Sequence, residues 1–248
     1  LKRETTDLGL LRDAVVRVNA SSDVSSPQAL DRLVAGFDAT RQLEMYRFFL
    51  VAFDAAPGQT YWGQLKEAVE AGLSTRDIVN IFTTKEAFQS VYPDSLSNQD
   101  FALRLVESVV KKSASSSAKS LAVAEVVSAL GTGMSRGDVI YNVFGNLAAR
   151  PTDPTAPGYN ATDPYLGVAK QLANKVAVAE YYTETLLGQS TRLSELQSVV
   201  GKTTDQSDVS SAQALNALVT NQEAGRIQDG YISGATVFAD ADGDGVLD

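Results

Sequence analysis

The chain has 248 residues, of which 44% are apolar, and a formal net charge of -9. It contains no Cys and no His, which excludes disulfide bonds, thiol or imidazole catalysis and the usual zinc sites. The acidic balance argues against nucleic acid and anionic membranes as partners, because both recruit basic patches. The longest apolar run, Phe48–Phe53, is too short to span a bilayer, so we expect no membrane insertion.

The first part of the chain predicts three helices. Apolar residues recur on one helical face after Asp7, at Leu8, Leu11, Val15 and Val18. Ser26 and Pro27 are typical of an N-cap and a first helical residue, so a second helix should run from Pro27 toward Val34. Gly36 and Thr40 are expected to interrupt it. The third helix then follows, with a core-facing seam formed by Leu43, Tyr46, Leu50 and Phe53.

The stretch Met45–Phe88 is predicted to carry the core, because it holds the only Trp and most of the Phe residues. Three expected helix starts share the pattern Ser-x-x-Asp, in which the hydroxyl accepts from a free backbone N–H and the acid lies near the positive helix end. The pairs are Ser74 with Asp77, Ser97 with Asp100, and Ser135 with Asp138. We interpret them as caps, since a hydrolase site would need a His.

Further helices are expected over Asn98 to Lys112 and about Ser117 to Leu130. The segment Arg150–Pro164 is rich in proline and predicts a surface loop, with an ordered partner-contacting excursion as the alternative. Asp163-Pro164 should cap a long helix to about Leu187, with Leu172, Val176 and Ala179 facing inward and Gly188 ending it.

Two internal similarities predict duplicated helical units. The segment Gly72–Val79 recurs as Gly133–Ile140, and each copy should open a helix. Leu196–Val219 aligns without a gap on Leu11–Val34, sharing Ser-Asp-Val-Ser-Ser-x-Gln-Ala-Leu-x-x-Leu-Val. Because the later copy follows a helical unit, the earlier copy is expected to end a preceding one. The chain would then be one link of a tandem array.

One series of residues resembles a known family pattern: Tyr46, Pro57-Gly58, Tyr61-Trp62, Leu65, Gly72-Leu73-Ser74, Phe82-Thr83 and Glu86-Ala87-Phe88. The pattern is similar to a helical domain-of-unknown-function repeat found in secreted and surface-layer (S-layer) proteins of Gram-negative bacteria. This chain departs from it at Val51–Ala56, where the Gly-Arg and Pro-Asp of the family are missing. The resemblance covers roughly Tyr46–Ala148. It implies an extracellular S-layer or adhesin protein on the bacterial cell surface, and it would also allow export by type I secretion.

After Asp229 the sequence changes to an alternating extended run, Gly230–Phe238, which predicts β-strands. Acids at every second position then precede Gly245, which matches the first half of a calcium loop with hard oxygen ligands at positions 1, 3 and 5. The expected Ca²⁺ ligands are Asp240, Asp242, Asp244 and Asp248. A solvated turn is the alternative. This region resembles the opening of a β-sandwich module of bacterial adhesins.

The predicted fold is therefore mainly α, a multi-helix domain with duplicated helical units followed by the start of a β-sandwich module. Residues 1–34 would end a preceding helical unit. Residues 35–223 would form the helical surface-protein domain. Residues 224–248 would form the junction, the first strands and the calcium loop.

Tyr61 and Trp62 are the candidate glycan-binding residues, because aromatic faces stack on sugar rings. A core position for Trp62, at helical spacing with Leu65 and Val69, is the favoured alternative. A two-carboxylate glycosidase could draw on Glu67, Glu70 and Glu86, but all three are expected on solvent faces.

We therefore expect no enzyme. The chain is predicted to be a structural component of a cell-surface assembly, an S-layer-like lattice or fibre. Identical chains would self-assemble, surface glycan would be a further ligand, and calcium would stabilise the module junctions. The alternative is a targeting or adhesion domain of a larger glycan-binding or glycan-processing secreted protein. Chain-to-chain contacts on a flat surface would favour the first, and a Glu/Asp pair across a pocket the second.

Overall fold

The computed structural model describes residues 27–70 and 73–220, and this part of the chain forms ten α-helices and one π-helical turn. The helices are α1 (Pro27–Phe53), α2 (Gly58–Glu70), α3 (Thr75–Phe82), α4 (Glu86–Val91), α5 (Asn98–Val110), α6 (Ser116–Gly131), α7 (Arg136–Ala148), α8 (Leu166–Glu180), α9 (Leu193–Gly201) and α10 (Ala212–Thr220). The predicted mainly α fold is confirmed over these residues, which contain no strand. The helix after Asp7, the strands in Gly230–Phe238 and the β-sandwich start lie outside the described residues.

Helix α1 is the centre of the fold. It begins at Pro27, as predicted, but the predicted break at Gly36 and Thr40 is wrong, because one helix of 27 residues runs through both positions. Its last turns, Met45–Phe53, are almost entirely buried and are packed by α5, α7 and α8. A helix-interior Gly costs only about 1 kcal/mol relative to Ala, which burial on this scale outweighs.

The three predicted Ser-x-x-Asp caps are confirmed. In each, the serine Oγ accepts a hydrogen bond from the backbone N–H of the aspartate: Asp77 to Ser74 at 3.1 Å, Asp100 to Ser97 at 3.1 Å and Asp138 to Ser135 at 3.0 Å. These bonds begin α3, α5 and α7 at the expected residues. Local sequence therefore determines these helix starts, because each cap satisfies an otherwise unpaired N–H.

The two capped helices of the first duplication, α3 and α7, pack against each other. Arg76 Nε lies 2.6 Å from Asp138 Oδ1, and Asn80 Nδ2 donates to the same oxygen at 3.0 Å. Ser135 Oγ donates to Asn80 Oδ1 at 2.9 Å. Gly137 permits this approach, since a Cβ there would lie 2.3 Å from Asn80 Oδ1. The helices that begin in the two copies of this duplicated segment thus form one packed pair within the described fold.

Helix α8 starts later than predicted. Asp163 Oδ1 does accept from the Tyr165 backbone N–H at 2.8 Å, but it closes a turn before the helix, whose first residue is Leu166. The inward-facing residues Leu172, Val176 and Ala179 are buried, as predicted. The helix then widens into a π-helical turn over Tyr181–Thr185 before the chain reaches Gly188.

Candidate functional site

An open groove of about 620 Å³ lies where α1, α2, α3, α4 and the start of α9 meet. Its floor is aromatic and its rim is polar. The floor consists of Phe49, Phe53, Tyr61 and Phe82; the rim consists of Gln64, Lys85, Glu86 and Ser90, with Ala87 and Leu193 on the walls. Four of the ten lining residues, Tyr61, Phe82, Glu86 and Ala87, belong to the series that resembles the S-layer repeat pattern.

The floor is held rigid by ring contacts. Phe49 packs against Phe53 with ring centroids 4.8 Å apart and against Tyr61 at 5.4 Å. Phe49 and Phe53 are buried, whereas Tyr61 and Phe82 are half-buried and present part of each ring to the groove. The Tyr61 hydroxyl donates to the Thr191 carbonyl oxygen at 3.3 Å. The hydrogen bond of its hydroxyl and the contact with the Phe49 ring together fix the orientation of the Tyr61 ring.

The rim combines one amide, one ammonium, one carboxylate and one hydroxyl, all on exposed residues. Lys85 and Glu86 are adjacent in sequence and carry opposite charges, so the rim has no net formal charge. Ser90 Oγ donates to the Ala87 carbonyl at 2.8 Å and keeps its lone pairs for an acceptor role. Such an arrangement suits a ligand that has an apolar face, many hydroxyl groups and no net charge.

Trp62 does not line this groove. Its side chain belongs to the core at 3% exposure and stacks on Tyr46, with ring centroids 4.1 Å apart and an interplanar angle of 24°. The core alternative for Trp62 is confirmed, and of the two candidate glycan-binding residues only Tyr61 reaches the groove. Adjacent helical residues point about 100° apart, so one of the pair turns inward when the other turns outward.

A partly exposed polar cluster adjoins Tyr46, the ring on which Trp62 stacks. The Tyr46 hydroxyl donates to Glu184 Oε1 at 2.8 Å, and burial raises the pKa of Tyr46, which keeps the hydroxyl protonated. Burial also raises the pKa of the Glu180 carboxyl, helped by the charge of Glu184 and opposed by Arg47. The two glutamates are four residues apart in the chain, at the junction of α8 with the π-helical turn.

The carboxylates considered from the sequence are placed as follows. Glu67 and Glu86 are exposed, as predicted. Glu86 is on the rim of the groove. The side chain of Glu70 lies outside the described residues.

A second cluster, which the sequence gives no signal for, joins three helices. The Asp54 carboxylate pairs with both Lys111 and Lys175, and the Lys175 side chain is only 4% exposed. Asp54 and Lys111 end α1 and α5 in left-handed conformations, with φ of 52° and 46°. Burial lowers the pKa of Lys175, while the charge of Asp54 opposes this shift. We interpret the cluster as a clamp between helix ends and α8.

The four expected calcium ligands, Asp240, Asp242, Asp244 and Asp248, lie outside the described residues. Within residues 27–70 and 73–220, no three acidic side chains come close enough together to hold a metal ion. None of the helices in this part of the chain is both long and apolar enough to cross a bilayer. In comparisons with known proteins, neither a family model, nor a curated protein, nor a solved structure matches the chain.

Proposed function

We propose that this chain is a non-enzymatic structural domain of a bacterial cell-surface assembly, and that its aromatic groove holds a neutral surface glycan. The observation that carries the glycan proposal is the combination of an aromatic floor with a polar rim of no net charge. The extracellular setting and the self-assembly of identical chains are supported by the resemblance to S-layer repeats and by the internal duplications. Calcium at Asp240, Asp242 and Asp244 belongs to the same proposal.

The chemistry of the groove matches a pyranose ring. One face of such a ring carries C–H groups, which pack on aromatic side chains, while its hydroxyls project from the edge. Tyr61 and Phe82 supply the aromatic surface. Gln64 can donate to and accept from hydroxyls, Ser90 can accept from them, and the neighbouring charges of Lys85 and Glu86 strengthen such hydrogen bonds. An acidic polysaccharide would meet Glu86 and a chain of net charge -9, so we expect neutral glycans.

The test is binding to an array of neutral pyranose oligosaccharides, followed by calorimetry on the best ligand. Ala87→Trp fills the groove from its wall and should abolish binding. Gln64→Ala removes one rim amide and should weaken binding about tenfold, the equivalent of one hydrogen bond. Gln99→Ala, at an exposed helical position outside the groove, is the matched control and should bind normally. Unchanged binding by Ala87→Trp would contradict the proposed site.

A further inference from the structure

The residues Leu193–Val219, which we call the closing segment, complete the fold. They comprise α9, a turn region and α10, and they pack on α8 and on the end of α1. Leu196, Val200 and Val219 are buried. Much of the polar attachment uses backbone carbonyls: Leu196 O accepts from Ala56 N at 3.1 Å, and Asn174 Nδ2 donates to the carbonyls of Thr204 and Ser207 at 2.9 and 3.3 Å.

The earlier copy of this sequence, residues 8–34, keeps the docking face of the closing segment. The apolar residues that the closing segment turns to the core are Leu193, Leu196, Val199, Val200, Val209, Leu215, Leu218 and Val219. Their counterparts are Leu8, Leu11, Ala14, Val15, Val24, Leu30, Leu33 and Val34. All are identical except for Ala14 in place of Val199. The earlier copy therefore retains the apolar side chains whose burial would stabilise a docked segment.

The exposed positions of the closing segment are less alike in the two copies. Gly201, Gln206 and Ala217 are exposed and correspond to Val16, Ser21 and Arg32. Two exposed residues that form caps are nevertheless the same in both copies. Asp208 accepts from Ser210 N at 2.9 Å and Ser211 from Ala214 N at 3.2 Å, and both acceptors recur as Asp23 and Ser26.

The polar attachment is also available to the earlier copy. Carbonyl oxygens at Leu11, Asn19 and Ser22 would stand where those of Leu196, Thr204 and Ser207 stand, because backbone groups do not depend on the side chain. Two positions differ in their side-chain bonds. Glu195 accepts from Ser190 Oγ at 2.5 Å and pairs with Arg192 at 2.9 Å, and Leu10 at the equivalent position cannot make these bonds. Gln197 Nε2 donates to Phe53 O at 2.9 Å, and Arg12 occupies the equivalent position. An arginine retains N–H donors for that carbonyl.

We propose that residues 8–34 of one chain dock on the α8 surface of a second copy, in place of its closing segment, and so join identical chains head to tail. This inference rests on the self-assembly in the proposed function and names its interface. Pro27, where α1 begins, corresponds to Ala212, where α10 begins. A docked segment therefore continues without interruption into α1 of the donor chain, and a head-to-tail contact that does not close yields a fibre.

The resident closing segment competes with the incoming one. Its tether gives it an effective concentration of about millimolar, so exchange needs chains held at a comparable density, as on a covered surface. Since the earlier copy carries seven of the eight apolar residues that the closing segment packs on the core, the exchange should be close to neutral in apolar contacts. Local chain density then decides whether chains remain separate or join.

The absence of cysteine allows a direct cross-linking test. Asn174→Cys combined with Ser207→Cys should form a link within one chain, since Asn174 contacts the Ser207 carbonyl. Asn174→Cys combined with Ser22→Cys should instead link different chains when concentrated protein is oxidised, giving a ladder of oligomers on a non-reducing gel. Adding Leu196→Ala, which weakens the resident segment, should increase the laddered fraction severalfold. Adding Leu11→Asp should remove the ladder without changing the circular dichroism of the chain.

Four outcomes would overturn the inference: no ladder at millimolar protein, a ladder that survives Leu11→Asp, a fraction that Leu196→Ala leaves unchanged, or a Ser22 link confined to single chains. Electron microscopy of the unsubstituted chain under the same conditions separates this inference from the proposed function. Ordered assemblies without the Ser22 link would reject this interface alone. The absence of assemblies together with the absence of glycan binding would reject the proposed function as well.

Discussion

The pair of glycines in α7 should respond in opposite directions to alanine. At Gly137 an added Cβ would lie 2.3 Å from Asn80 Oδ1 and 3.0 Å from Asn80 Cα, whereas at Gly145 it would meet no atom within 4 Å. Because the second clash involves the backbone, rotating the Asn80 side chain cannot relieve it, and α3 must move away from α7. Gly145→Ala removes backbone freedom from the unfolded chain without any such clash.

The magnitudes follow from the contacts. Overpacking costs about 1–3 kcal/mol. Displacing Asn80 also strains its hydrogen bonds with Asp138 and Ser135, each worth about 0.5–1.5 kcal/mol. The higher helix propensity of Ala relative to Gly offsets about 1 kcal/mol of this loss of stability. We therefore expect Gly137→Ala to lower the free energy of unfolding by about 2–4 kcal/mol and Gly145→Ala to raise it by about 0.5–1 kcal/mol.

Urea unfolding followed by far-UV circular dichroism measures both changes. Gly145→Ala is the matched control, since the two sites share one helix and one chemical change. Equal effects at the two positions, of either sign, would refute the close packing of α3 on α7. A loss at Gly137 that becomes smaller but does not vanish in the Asn80→Ala background would support it, because that change removes the amide clash and leaves the 3.0 Å approach to Asn80 Cα.

Three further predictions test other parts of the molecule. Trp62→Ala should lower the free energy of unfolding by about 3–5 kcal/mol in a urea titration. A small loss of stability together with a loss of glycan binding would indicate instead that Trp62 contacts the ligand. The hydrogen bond from Arg76, and then that from Asn80, lowers the pKa of Asp138 below its unfolded value, so this stabilisation is complete above about pH 4 and is lost as the pH falls through the folded pKa. Asp138→Asn should flatten that part of the acid-unfolding profile, and an unchanged profile would contradict the network. Millimolar calcium should protect the chain from proteolysis after Phe238, and equal cutting in chelator would leave Asp240, Asp242 and Asp244 as a solvated turn.

Helix starts were predictable here because their causes are local. Each Ser-x-x-Asp cap is complete within four residues, and the structure forms all three. Helix α1 also begins where the sequence predicts it, at Pro27. The break expected at Gly36 and Thr40 failed because their local preferences are weak beside the burial of Met45–Phe53, which depends on helices far along the chain. Local signals thus set where helices begin, and tertiary packing set how far α1 continues.

The candidate site was less predictable because its parts are distant in sequence. Periodicity placed Tyr61 and Trp62 on one helix, and the favoured core position of Trp62 held. The partners of Tyr61 could not be inferred, since the groove brings Leu193 and Lys85 beside it from other helices. The Asp54 clamp was unpredictable for the same reason. Several helices separate Lys111 and Lys175 from Asp54 in the sequence, and no spacing rule relates the three residues.

The groove and the proposed docking interface meet at a single residue, Leu193, which begins the closing segment and forms part of the groove wall. If residues 8–34 of a neighbouring chain replaced the closing segment, Leu8 would stand at this position. The groove would then present the same apolar wall whether or not exchange had occurred. A ligand that binds two states with equal affinity does not shift the equilibrium between them. Glycan binding and the joining of chains should therefore be independent of each other. A chain anchored to surface glycan could therefore extend into a fibre without releasing its anchor.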